Sequence, residues 1–110
     1  MSAMSGPGAG GPVRVVLRME IVAGREREFE ELWLDIARTI RRSPANRGQV
    51  LARAGAVDGA SVYYVYTDWT DEASFRAFET SRDHGHNRRR LGPLRAGGDM
   101  TVTAVVHRLE

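Results

Sequence analysis

Ser61-Val-Tyr-Tyr-Val-Tyr-Thr-Asp-Trp69 is the stretch whose reading decides the fold. Aromatic and β-branched residues dominate it, and such side chains suit a pleated, half-buried surface. Neighbours on a strand point to opposite faces, so Tyr63, Val65, Thr67 and Trp69 share one face, and Val62, Tyr64 and Tyr66 share the other. A second strand-like run, Gln49 to Ala54, precedes it across the turn Gly55 to Gly59, which predicts an antiparallel hairpin.

Outward from the hairpin, the period changes twice. Val13 to Glu20 alternates, with Val13, Val15, Leu17 and Met19 on one side, and reads as a first strand. After Ala23-Gly24, the residues Phe29, Leu32, Trp33, Ile36, Ala37 and Ile40 recur at helical spacing, so Arg25 to Arg42 is predicted to be a long amphipathic helix. Arg41 and Arg42 suit its carbonyl end, and Ser43-Pro44 stops it. Beyond the hairpin, Thr70 or Asp71 can cap a second helix, Glu72 to Ser81, with Phe75 and Phe78 facing inward. A further short helix is expected around Asn87 to Leu91, and Met100 to Leu109 alternates as a fourth strand.

The order βαββαβ is the ferredoxin-like split βαβ plan, an α+β fold with an antiparallel four-stranded sheet. Helices cover one face of such a sheet. Tyr63, Val65, Thr67 and Trp69 are assigned to the uncovered face, with Tyr64 and Tyr66 beneath the helices. An aromatic face left open invites association, so two sheets closing face to face in a homodimer, a dimeric α+β barrel, are expected.

With 110 residues, there is room for one domain, predicted over residues 13–110. Residues 1–12, rich in Gly, Pro and Ser and without a basic or apolar region, read as a disordered leader and not an export signal, which predicts a cytoplasmic protein. No apolar run approaches the roughly 20 residues of a membrane-spanning helix. Every Lys+Arg residue is an arginine and cysteine is absent. Schiff-base chemistry, lysine-dependent phosphate loops, thiol nucleophiles and thiolate metal sites are therefore excluded. The net charge is only +2 and no nucleic-acid-binding motif is present, so no nucleic-acid partner is expected.

The residues able to carry chemistry are few. His84 and His86 form a His-x-His pair that, with His107, supplies three imidazoles. They read as solvated loop residues, as proton carriers or as metal ligands, and a polar, glycine-containing context argues against a metal. Arg88-Arg-Arg90, with Arg82 and Arg95, is the densest basic cluster and reads as a solvated face or as a grip for an anionic substrate. Trp69 and Trp33 are otherwise core residues.

Tyr66-Thr-Asp-Trp-Thr-Asp-Glu-Ala-Ser-Phe-Arg-Ala-Phe-Glu-Thr-Ser81, followed by His84 and His86, resembles the signature of antibiotic biosynthesis monooxygenase domains, as does Ser43-Pro-Ala-Asn-Arg-Gly-Gln-Val-Leu51. The resemblance covers nearly all of the chain after Pro12. It implies the dimeric α+β barrel and a cofactor-independent oxygenation of an aromatic polyketide, phenol or anthrone to quinone, with molecular oxygen as co-substrate and without metal, haem or flavin. Trp69 falls on the family's tryptophan at the end of the third strand, and Phe75 on a position that is aromatic in some members. Arg88 to Arg90 lie where some members place a cavity arginine. The expected catalytic residues are Trp69, His86 and His84, and the expected substrate-binding residues are Tyr63, Val65, Phe75, Phe78 and Arg89. Members of the quinone-forming group often place an asparagine on strand one, where this chain reads Val16-Leu-Arg-Met-Glu20. Two other readings stand beside this one: a non-oxidative polyketide-binding or cyclase-assisting barrel, and haem degradation on the same fold.

Overall fold

A computed structural model describes residues 10–110. Of the expected leader, residues 1–9 lie outside the described residues. The elements are β1 (Val13–Ile21), α1 (Glu26–Ile40), β2 (Asn46–Val57), β3 (Ala60–Trp69), α2 (Glu72–Glu79), α3 (Arg82–Leu91) and β4 (Arg95–Ala104), with a single 3₁₀ turn, Gly92–Leu94, leading into β4. The sheet is antiparallel throughout in the order β2-β3-β1-β4, so the two strands that precede helices are its centre. This is the ferredoxin-like α+β fold.

Local chemistry sets the boundaries. Asp58 and Gly59 take φ of 50° and 81° and join β2 to β3 in two residues, the backbone twist that a tight hairpin requires. The Asp71 carboxylate accepts from the Ser74 N–H at 2.7 Å and starts α2. Ser81 does the same for α3, its Oγ accepting from the His84 N–H at 3.2 Å. That cap corrects the expected short helix: α3 begins five residues earlier than Asn87, at Arg82, and runs through Gly85.

Strand four is also corrected. It spans Arg95–Ala104 and not Met100 to Leu109, because β1 offers partners as far as Ile21, opposite Arg95. Beyond it, the Val105 N–H donates to the Pro12 carbonyl at 3.0 Å and the remaining residues leave the sheet.

The sheet faces divide as the alternation predicts, but their sides are exchanged. Tyr63, Val65, Thr67 and Trp69 lie beneath the helices, each buried, with Met19, Leu17, Val15 and Val13 beside them on β1. Tyr64, Tyr66 and Asp68 occupy the uncovered face with Arg18, Val16 and Arg14. Alternation tells which residues share a face. Which face the helices cover depends on where α1 docks, and α1 sets Phe29 against Tyr63 (ring centroids 4.8 Å apart) and Ile36 and Ile40 into the cluster that holds Trp69.

Candidate active site

Trp69 ends β3 in a core cluster with Val13, Val15, Ile36, Ile40 and Phe75 and is 1% exposed. Its indole N–H donates to the Thr67 hydroxyl at 3.0 Å, two residues back on the same strand face. A buried indole donor needs such a partner, and the period of two supplies it.

From Trp69, an aromatic ladder runs outward across α2 and α3. The Phe75 ring is 5.9 Å from the indole, and the Phe78 ring stacks on it at 5.0 Å with an interplanar angle of 28°. Phe78 in turn meets the His84 imidazole at 4.2 Å and 40°. Phe75 and Phe78 share a helix face because they are three apart, and the cap at Ser81 turns the chain so that His84 returns over Phe78. Phe78, Leu91 and Val102 pack on the cluster while staying partly exposed, so it reaches the surface along that line.

His84 is the titratable group of this ladder. Burial, and then the nearby Arg88, push its pKa down to about 4, with Glu79 opposing. The ring is therefore neutral at physiological pH and carries one donor and one acceptor nitrogen. Asn87, buried at 8% exposure, places its amide nitrogen 3.5 Å from His84 Nδ1. Neither Thr67 nor Asn87 was singled out from the sequence. Thr67 is visible as the second residue before Trp69 on one strand face; Asn87 is visible only once Ser81 is read as a cap that puts His84 and Asn87 one turn apart.

The helix separates the His-x-His pair. Residues two apart on an α-helix point about 200° away from each other, and His86 is exposed where His84 is packed. Arg89 is exposed on the same helix, and Arg88 donates to the Glu79 carbonyl at 2.8 Å. His107 lies beyond β4, exposed. Among the described residues, no group of three or more His, Asp or Glu side chains is placed to hold a metal ion.

Tyr63 and Val65 belong to a second cluster, with Met19, Ile21, Phe29 and Leu94. The Tyr63 hydroxyl donates to Glu30 at 2.5 Å, and burial together with that carboxylate raises its pKa to about 12. It remains a neutral donor committed to Glu30. What the ladder offers chemically is a flat apolar wall ending in a neutral imidazole, able to hydrogen-bond a phenol or phenolate.

Solved structures share this fold. SnoaB, a cofactor-independent oxygenase from Streptomyces nogalater, is 21% identical over 90% of this chain and 97% of its own, with a TM-score of 0.77. A family member from Caulobacter crescentus is 21% identical over 89% of this chain and 92% of its own, with a TM-score of 0.79. Rv0793 from Mycobacterium tuberculosis is 17% identical over 91% of this chain and all of its own (100%), with a TM-score of 0.75. At these identities the likeness is one of fold. No curated protein matches the sequence. The family model for antibiotic biosynthesis monooxygenase matches residues 12–90, from the residue before β1 almost to the end of α3, and the chain belongs to that family.

Proposed function

We propose that the protein is a cofactor-independent monooxygenase that oxidises an aromatic polyketide, a phenol or anthrone, to a quinone in antibiotic biosynthesis. It would act in the cytoplasm as a homodimer closed through the uncovered sheet faces. The observation that carries this reading is the ladder Trp69–Phe78–His84, in which a neutral imidazole ends a stack of aromatic rings at the edge of the core. SnoaB, which shares the fold, is described as a cofactor-independent oxygenase.

In the proposed reaction, the planar substrate lies against Phe78, Leu91 and Val102, with Phe75 and Trp69 behind them. His84 hydrogen-bonds the substrate oxygen and, as the ring is deprotonated, relays the proton through its two ring nitrogens to water without resting as imidazolium. The electron-rich anion passes one electron to O2, the resulting radical and superoxide combine to a peroxide, and loss of water leaves the quinone. Per turnover, one O2 is consumed, one oxygen atom enters the product and the other leaves as water. Of the two imidazoles, His84 takes the catalytic role; His86 exchanges protons with solvent, and Arg89 attracts the anionic ring from outside. Tyr63 and Val65 would act only from behind, in the neighbouring core cluster, without touching the substrate.

The test is oxygen uptake with dithranol or emodin anthrone by metal-stripped protein. Uptake above the spontaneous rate, with quinone appearing in step and a fall of about 10²-fold or more in H84Q, supports the reading. A second reading, a non-oxidative polyketide-binding or cyclase-assisting barrel, is favoured by the 1% exposure of Trp69, which keeps the indole from touching a ligand directly. Tight binding of the anthrone without uptake would establish it instead.

A further inference from the structure

On the far side of α1 from the aromatic ladder, the helix and the start of β2 border an open groove of about 640 Å3, within the size range of small-molecule sites. Its helical wall is the stripe Trp33, Leu34, Ala37, Arg38 and Arg41, and its other wall is Asn46 to Gln49. No carboxylate lines it. Arg14 pairs with Asp68 at 2.7 Å, Arg25 with Glu28 at 2.7 Å and Arg76 with Glu79 at 2.9 Å, whereas Arg42, Arg82, Arg88, Arg89 and Arg95 stand without an acidic partner among the described residues. Among the described residues, Arg38, Arg41 and Arg47 form no ion pair.

The position of Arg47 is a consequence of backbone geometry. Asn46 pairs with Trp69 and Gly48 with Asp68, so Arg47 is the extra residue of a β-bulge, and Gly48 accommodates the distortion with φ of 148°. Bulges re-aim side chains, and this one adds a third cation to the pair on α1. Gln49 then donates from Nε2 to the Ala37 carbonyl at 2.9 Å and ties the two walls together. The helix dipole accounts for cations in the last turn of α1, but not for an arginine delivered by a bulge on a neighbouring strand. The groove is not merely ionic, since Leu34 is 44% exposed and Trp33 is half-buried beside the arginines.

We infer that this groove is a second binding site, separate from the aromatic ladder, for a small amphiphilic organic anion: a planar or acyl apolar body held by Trp33 and Leu34, and a carboxylate held by Arg38, Arg41 and Arg47. Guanidinium groups suit a carboxylate because they meet it with paired donors.

The probe is 2-naphthoate, titrated into full-length protein and followed by amide and indole NMR signals. The expected result is saturable shifts of the Trp33 indole and of the Gly48 and Gln49 amides, with the Trp69 indole unmoved. R38Q/R41Q should weaken the binding at these signals about tenfold or more, as should replacing the probe with the neutral 2-naphthalenemethanol. L34E, at an exposed position, should abolish it without unfolding the chain. The inference is overturned if naphthoate leaves these signals unmoved, if R38Q/R41Q binds as well as wild type, or if inorganic phosphate competes as strongly as naphthoate. None of these outcomes depends on oxygenase activity.

Discussion

The His84 imidazole lies 4.2 Å from the Phe78 ring, which also stacks on Trp69 at 5.0 Å, and burial there, with Arg88 nearby, lowers its pKa to about 4. In the unfolded chain, the same imidazole titrates near 6.5. Between those values, the unfolded state binds the proton and the folded state does not. The contribution of His84 to stability is thus fully present above pH 6.5 and falls away as the pH drops toward 4. H84F keeps an aromatic ring on Phe78 and removes the titration. Urea unfolding at pH 7 and pH 4.5 should show a smaller loss for H84F than for wild type. Parallel losses would mean that the ring is solvated.

Trp69 and Thr67 are expected to behave as one unit. T67V keeps the shape but strands the indole N–H in the core, at a cost of about 1–2 kcal/mol. W69A should cost about 3–5 kcal/mol, as large-to-small changes at sealed aromatic sites do. W69F retains a ring for Phe78 and has no N–H to satisfy. In the W69F background, T67V should therefore lose most of its effect, and a double-mutant cycle in urea reads that coupling. Additive losses would show that the 3.0 Å bond contributes nothing.

The same segment shows what a sequence can and cannot carry. Alternation along Ser61 to Trp69 identifies Tyr63, Val65, Thr67 and Trp69 as one set, because side-chain direction on a strand is local. Their burial under α1, α2 and α3 is a property of helix docking, and the local pattern does not encode it. The alternation from Met100 to Leu109 places β4 five residues late, since Arg95 to Asp99 carry no apolar alternation; in the fold, Gly98 at φ 148° lets β4 pass against the Arg18 carbonyl, where a Cβ would clash. Trp69, Phe75 and Phe78 are legible from spacing and family resemblance. The separation of His84 from His86 is not, because it turns on a single cap at Ser81 that makes an otherwise polar segment helical.

Asp68 on the uncovered sheet face accepts two bonds from Arg14, at 2.7 and 2.9 Å, which hold its pKa below the ordinary carboxylate range. A carboxylate with a lowered folded pKa stabilises above the unfolded value, near 3.9, and that contribution is lost as pH falls through the folded pKa. Arg14 is 41% exposed, so water screens the pair, and D68N should cost only about 1 kcal/mol at pH 7. The difference between D68N and wild type should shrink as the pH falls below the unfolded value, near 3.9. A D68N penalty that does not shrink at all as the pH is lowered through the acid range would point to packing and not to the ion pair.

One cross-strand row of that face is apolar: Val50, Tyr66 and Val16 lie side by side on β2, β3 and β1, with Thr101 continuing the row on β4. Val50 is 51% exposed, and Tyr66 and Val16 are only half-buried in the single chain. The pairs Arg14–Asp68 and Arg18–Glu20 flank the row, giving an apolar strip with charged borders. Two such faces laid together would bury the strip and leave the ion pairs at its rim, where they fix the register of the two sheets more than they add affinity. Light scattering should therefore find a dimer at micromolar concentration. V50E/Y66E, which places carboxylates in the strip without touching the helix-covered core, should give a folded monomer with unchanged far-UV circular dichroism. A wild-type monomer, or a V50E/Y66E dimer, would remove this face from the assembly and with it the basis for a closed barrel.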